Sequence, residues 1–277
     1  MNPAQRPIQA LGVRIAQLAG VTLLLLLVTL PLLALLFHQS PLQLVARLGQ
    51  PAVLAALRLS AVTSLVSTIV VVALGLPVAY LLATRDFPGR RIVEAVLQLP
   101  IVLPPTVAGV GLLLAFGRAG LAGGALNALG ITLPFSVLAV VIAQLFVSVP
   151  FFVASASAGF ASVDPRYLEV ASTLRAPPAF QFFRVLLPLA LPSVLAGAGM
   201  AWARALGEFG ATITFAGNLP GRTQTLPLAV YTALQQDLDA AVAMSVILVV
   251  LSFTILIGLR LLPWPPVSRI GPPGARR

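Results

Sequence analysis

DPRYLEVASTLRAPPAFQFFRVLLPLALP, residues Asp164 to Pro192, is a short polar stretch set between two long apolar runs. It holds Asp164, Glu169, three arginines and the pair Pro177-Pro178, a pattern too specific for a plain connector. Asp164 can cap a helix that Pro165 starts, because proline is well suited to the first helical position. The spacing predicts a helix over 165–175 with Leu168, Ala171, Leu174 and Arg175 on one face. Pro177-Pro178 ends it, and a second short segment, Ala179 to Leu187, leads into the next apolar run. A rigid helix lying across a membrane surface transmits force, which a flexible loop does not.

The setting of that stretch is lipid. Of 277 residues, 59% are hydrophobic and 9% charged, and the mean hydropathy is +1.03, more apolar surface than a water-soluble core of this size can hide. Six runs are long enough for a hydrocarbon core, which takes about 20 apolar residues: 17–37, 54–83, 92–117, 134–160, 188–216 and 240–262. The fold class is therefore all-α, a polytopic membrane protein of six transmembrane helices. It comprises a tail at 1–16, a membrane domain at 17–262 containing the 164–187 loop, and a tail at 263–277. Both tails are proline-rich and read as irregular extensions. The second run exceeds what a bilayer needs and predicts tilt or an interfacial extension. The first is too long for a signal-peptide core and has no clear cleavage site, so it reads as an anchor.

Every basic residue is arginine, and the net charge is +10. In a soluble chain that balance suggests nucleic acid, but here the arginines flank apolar spans and report topology. Arg6, Arg14, Arg85, Arg90, Arg91, Arg166, Arg175, Arg184, Arg260, Arg269, Arg276 and Arg277 fall on one side, against Arg47, Arg118 and Arg222 on the other. Arg58 and Arg204 lie inside spans. The excess of arginine in cytoplasmic loops then places both termini and the 164–187 loop in the cytoplasm.

Inside the spans, Leu103-Pro104-Pro105-Thr106-Val107-Ala108-Gly109 breaks the third helix in mid-membrane. Such breaks persist where protein or a water-filled path satisfies the freed carbonyls; a simple kink is the alternative. In the fifth span Gly199, Ala203, Gly207 and Ala211 recur every four residues, a smooth ridge for close helix approach. Glu208 lies one turn from Arg204 in the outer half of that span. An ionisable group at that depth marks a functional site or a neutralising internal pair, since residues four apart are neighbours. A gate or packing role suits Glu208. Arg204, or polar groups such as Thr106, Thr212 and Asn218, can line a polar path between the helices.

Glu169, Ala171, Val185, Leu187 and Pro188 form a pattern that resembles the signature loop of the permease subunits of bacterial ATP-binding-cassette importers. In that family the loop reads Glu-Ala-Ala, a glycine six residues after the glutamate, then Ile-x-Leu-Pro. Here Val170 replaces the first alanine and Arg175 the glycine, and Ala176-Pro177-Pro178 is expected to supply the turn. Arg204-Ala205-Leu206-Gly207-Glu208-Phe209-Gly210-Ala211-Thr212, with Ala216 to Tyr231, is similar to the molybdate branch of that family, as are Phe87-Pro88-Gly89-Arg90 and Leu103 to Val107. Sulfate-importer permeases are similar here but usually carry tyrosine after the glutamate. The resemblance covers about 53–262.

The resemblance implies a type I importer permease fold. It also implies a homodimer of this chain, two cytoplasmic ATP-binding subunits, an extracytoplasmic anion-binding protein and a place in the cell inner membrane. Molybdate is the expected cargo, with sulfate, thiosulfate or tungstate as alternatives. Asp164, Leu168, Glu169, Ala171, Leu174, Arg175 and Pro188 fall in the loop that couples to the ATPase. Pro104, Pro105, Thr106, Arg204, Gly207, Glu208, Gly210, Thr212 and Asn218 are candidates for the path or its gate. No cofactor is expected in this chain; ATP and magnesium belong to the partner, since a phosphate-binding Walker loop needs a lysine and the sequence has none. Cysteine is absent, which excludes disulfides and thiolate metal sites. The lone His38 has no evident ligand partners. An intramembrane enzyme would need converging nucleophile, base or metal ligands that the spans lack, and the signature loop argues against a free-standing channel or secondary transporter.

Overall fold

A computed structural model describes residues 5–261, and every regular element in that range is helical. The chain runs through α1 (Gln5–Phe37), α2 (Pro41–Leu48), α3 (Pro51–Thr84), α4 (Arg90–Val102), α5 (Pro105–Phe116), α6 (Gly123–Ala128) and α7 (Val137–Ala161). It continues through α8 (Arg166–Thr173), α9 (Pro178–Phe180), a π-helical turn (Gln181–Leu186), α10 (Leu187–Leu206), α11 (Gly210–Phe215), α12 (Leu226–Leu234) and α13 (Leu238–Leu261). Five helical stretches are long and apolar enough to cross a membrane singly. The sixth crossing is α4 plus α5, bent by 118°. α4 lies beside Pro150, Ser157 and Ala161 of α7, whereas Ala108 and Leu112 of α5 pack with Ala139 and Val140 at its other end. The bent pair therefore carries the chain along the whole length of α7.

Several boundaries differ from the sequence reading. α1 begins at Gln5, so residues 5–16 are helical rather than an irregular tail. Pro7 falls in the first turn, where a missing N–H is harmless, and good helix formers follow. Residues 263–277 lie outside the described range. The 34 residues of α3 extend about 50 Å, well past a hydrocarbon core of about 30 Å, as the length of the second run predicted. The fifth span is not continuous to residue 216: α10 stops at Leu206 and α11 restarts at Gly210.

Lipid is as apolar as leucine, so small residues and hydrogen bonds hold these helices together. α7 and α10 meet where Gly159 faces Ser193 and Gly197 faces Ser155; a Cβ on Gly197 would sit 2.9 Å from Ser155 Cβ. That approach lets the Ser155 hydroxyl donate to Ser193 O at 2.8 Å. The predicted ridge is thus displaced: Gly199 and Ala211 are buried, but Ala203 and Gly207 face outward. Gly75 of α3 likewise accepts the Phe152 ring of α7.

A buried polar seam runs along α3. Ser60, Thr63, Ser64, Ser67 and Thr68 are all buried and recur with the helical period. Trp202 Nε1 donates to Ser64 Oγ at 3.0 Å, and Ser67 Oγ lies 3.0 Å from Val141 O and 3.2 Å from Gln144 Oε1. The Leu226 N–H, at the start of α12, donates to Ser60 Oγ at 2.6 Å. Ser60 thus caps a helix 166 residues away in sequence, where Thr225 makes no side-chain cap of its own. Ser60→Ala strands that N–H and should cost about 1–3 kcal/mol, read as a lower thermal midpoint of the purified protein; an unchanged midpoint contradicts the cap.

Candidate functional site

The site lies where two helix breaks meet. Pro104 and Pro105 lack N–H groups, and a proline pushes the preceding residue out of the helical region. Leu103 (ψ 131°) and Pro104 (ψ 134°) are accordingly extended, and α5 restarts with Pro105 in its first turn. The second break is Gly207-Glu208-Phe209, between α10 and α11. The two are in contact: a Cβ on Gly210 would lie 2.5 Å from Pro105 Cβ and 3.3 Å from Thr106 N, and one on Gly109 would lie 2.6 Å from Thr214 Cβ and 2.9 Å from Ala211 O. Glycine at both positions is what allows the backbones to touch.

Glu208 holds the second break together. Its side chain is 1% exposed, and Oε2 forms an ion pair with Arg204 Nη1 at 2.6 Å. Oε1 accepts from Ala211 N at 2.7 Å, which satisfies an otherwise unpaired donor at the start of α11. Arg204 keeps 29% exposure. Pro104, Pro105 and Thr106 are exposed beside Gly210, and Gly207 is exposed beside Arg204. Phe209 stacks at a tilt on Tyr231, centroids 5.2 Å apart.

Seven of the nine predicted path residues therefore gather at the breaks, and two do not. Thr212 is fully buried with its hydroxyl unpaired, so it faces no open path in this conformation. Asn218 lies in the following loop, where Nδ2 donates to Thr232 Oγ1 at 2.9 Å. Gly109 went unremarked as a contact residue; its signal is a glycine one turn beyond the proline pair. The Ser60–Thr68 seam was also missed, although its period is visible as hydroxyls in an apolar run. Among the described residues no cluster of histidine, cysteine, aspartate or glutamate has a metal-binding arrangement.

The 164–187 segment forms a second feature at the arginine-rich end. Asp164 Oδ1 accepts from Arg166 N at 3.0 Å, the capping role read from sequence. α8 is shorter than predicted, ending at Thr173. Arg175 takes φ 55°, with its N–H donating to Ser172 O at 2.9 Å and Ala176 N–H to Ala171 O at 3.0 Å, the paired bonds of a Schellman end. Arg175 thus makes the glycine-type turn itself, which corrects the expectation that Ala176-Pro177-Pro178 supplies it. Arg175→Gly should relieve about 1 kcal/mol of left-handed strain and raise hydrogen-exchange protection over 166–176; lowered protection contradicts this account.

The predicted face also divides. Leu168 packs on the bundle core and Ala171 is only 8% exposed, so both look inward. Leu174 at 77% exposure, with Arg175, looks outward, because a residue six positions past Leu168 stands about 120° round the helix from it. Tyr167, Val170, Leu174 and Phe183 are exposed large apolar residues, with Glu169, Arg166 and Arg184 exposed among them. Beyond Pro178 the chain passes through the π-turn, where Leu187 N–H bonds to Phe182 O. The wide turn accommodates Pro188 early in α10, which can neither donate nor tolerate a close carbonyl one turn back.

The sequence profile of the family described as "Binding-protein-dependent transport system inner membrane component" matches residues 74–262. The chain is 45% identical over 231 residues to the molybdenum transport system permease protein ModB of Mycobacterium tuberculosis, covering 83% of this chain and 88% of that one. It is 42% identical over 185 residues to the protein of the same name from Escherichia coli K12, covering 66% and 79%. Among solved structures, a bacterial ABC transporter involved in importing the acidic polysaccharide alginate superposes with TM-score 0.73 at 14% identity, covering 94% of this chain and 97% of that one. At that identity the superposition speaks for the fold, a type I importer permease bundle. This multi-pass membrane chain belongs to the inner-membrane component family of binding-protein-dependent transport systems.

Proposed function

We propose that this chain is the membrane-spanning subunit of an ATP-binding-cassette importer that carries molybdate into the cell. It works as a homodimer in the inner membrane, with both termini in the cytoplasm. Two ATP-binding subunits dock below it and hydrolyse ATP with their own magnesium, and an extracytoplasmic binding protein delivers the anion above. The chain itself holds no cofactor and catalyses nothing.

The observation that carries this reading is the 45% identity over most of the chain to a molybdenum transport permease. The geometry supports it in two ways. The exposed side of α8, with Glu169, Val170 and Leu174, offers the motor a rigid lever tied to the bundle through Leu168, Ala171 and Pro188. The paired breaks offer the anion a place with Thr106 exposed, Arg204 partly exposed and little other charge. A few donors suffice, because the pore must lower the barrier to a dianion without trapping it.

Two experiments test the proposal. Reporter fusions at Gly130 and Gly221 should read outside, and those at Gly89 and the C-terminus inside; an inversion overturns the topology. Expression with its ATPase and binding protein should restore growth on scarce molybdate to a strain lacking its own permease. Restoration of sulfate uptake in place of molybdate uptake reassigns the cargo.

A further inference from the structure

The ion pair at the second break is lopsided. Glu208 is 1% exposed and fixed at both oxygens, by Arg204 Nη1 at 2.6 Å and by the Ala211 N–H at 2.7 Å. Arg204 is 29% exposed, and a guanidinium has five donor hydrogens. Glu208 is its single carboxylate partner among the described residues. The acid is thus locked into the protein while the base keeps donors and surface available. Ala203 and Gly207, the small residues next to Arg204 on the helix, are both exposed.

We propose that Glu208 is a built-in counter-anion that sets how weakly Arg204 holds the passing oxyanion. This rests on the oxyanion-import reading above. A dianion in a poorly hydrated passage is strongly attracted to an uncompensated guanidinium, and a site that binds too well does not release. With Glu208 in place the local charge sums to zero, and Arg204 offers hydrogen bonds without net attraction. The Ala211 bond keeps the carboxylate from leaving with, or yielding to, the cargo. Arg204 is the contact, and Glu208 is the positioning residue that attenuates it.

The test uses the permease–ATPase complex in nanodiscs without its binding protein, and equilibrium binding of radiolabelled molybdate. The wild-type complex should show no saturable binding in the millimolar range. Glu208→Gln should create saturable binding at least about tenfold tighter, as expected when the charge opposing a dianion is removed, and should slow uptake by the full importer. The double variant Arg204→Gln/Glu208→Gln should lose that binding. Ala203→Arg, which adds an uncompensated cation without touching either contact of Glu208, should produce the same trap and decides the matter if Glu208→Gln does not assemble. Assembled variants that bind no molybdate overturn the inference while leaving the cargo reading intact. Absence of molybdate uptake by the wild-type importer with its binding protein overturns the cargo reading, and this inference with it.

Discussion

Gly210→Val should abolish uptake while the five straight crossings still insert. The Cβ alone would stand 2.5 Å from Pro105 Cβ, with Pro105 C at 3.2 Å and Thr106 N at 3.3 Å. Those neighbours are a proline ring and backbone, neither of which can rotate away, so α11 must lift from α5. Overpacking of this kind costs about 1–3 kcal/mol, and here the strain falls on the contact between the two breaks. Gly109→Val attacks the same contact from the other side, through Thr214 Cβ at 2.6 Å and Ala211 O at 2.9 Å, and should give the same loss. By contrast Gly111 and Gly124 have open space around them, so Gly111→Ala and Gly124→Ala should transport normally. Uptake measured at matched membrane expression checks the set; active Gly210→Val would show that the breaks need not touch.

Leu174→Asp should uncouple the ATPase from the membrane bundle. Leu174 is 77% exposed at the end of α8, beside exposed Val170 and Tyr167, and nothing among the described residues packs over it. A charged side chain there leaves the bundle unchanged but places a carboxylate in the centre of the proposed interface. Loss of a central apolar anchor typically costs about 2 kcal/mol or more, or about thirtyfold in affinity. The measurements are ATPase capture by the purified permease and hydrolysis stimulated by the loaded binding protein. Ala171→Arg is a different experiment. Ala171 is buried against the bundle, so that change disrupts the seating of α8, and its failure to transport would say little about docking. Normal capture by Leu174→Asp would place the motor elsewhere.

Much of this architecture is legible in the residues because lipid imposes simple rules. Apolar length located the crossings, and Pro104-Pro105 marked a break or a kink in the third; the extended Leu103 and Pro104 decide for a break. Asp164-Pro165 announced the start of α8. The break in the fifth span was harder to read. Gly207 and Gly210 occur in a run whose small residues also suit a continuous packing ridge, and only the Glu208 cap on Ala211 decides for a restart. Arg175 at φ 55° was illegible for another reason: the family glycine is replaced by a residue that ordinarily avoids that conformation, and the Schellman bonds that hold it are backbone bonds that no side chain specifies. Ser60 and Leu226 are joined across 166 positions, a pairing that no local pattern encodes.

The central claim is that this bundle passes a tetrahedral oxyanion, molybdate first, under drive from a separate ATPase. The direct measurement is ATP-dependent accumulation of radiolabelled molybdate in proteoliposomes holding this chain, its ATPase and its binding protein, with sulfate and tungstate as competitors. Accumulation should require all three components, be lost in Gly210→Val and Leu174→Asp, and resist sulfate. Exchanging the binding protein for a sulfate-specific one that still docks should transfer the selectivity to sulfate, because discrimination resides in that protein's fixed cavity and not in a weak pore. Accumulation without the ATPase, or selectivity for molybdate that survives the exchange, would contradict the account.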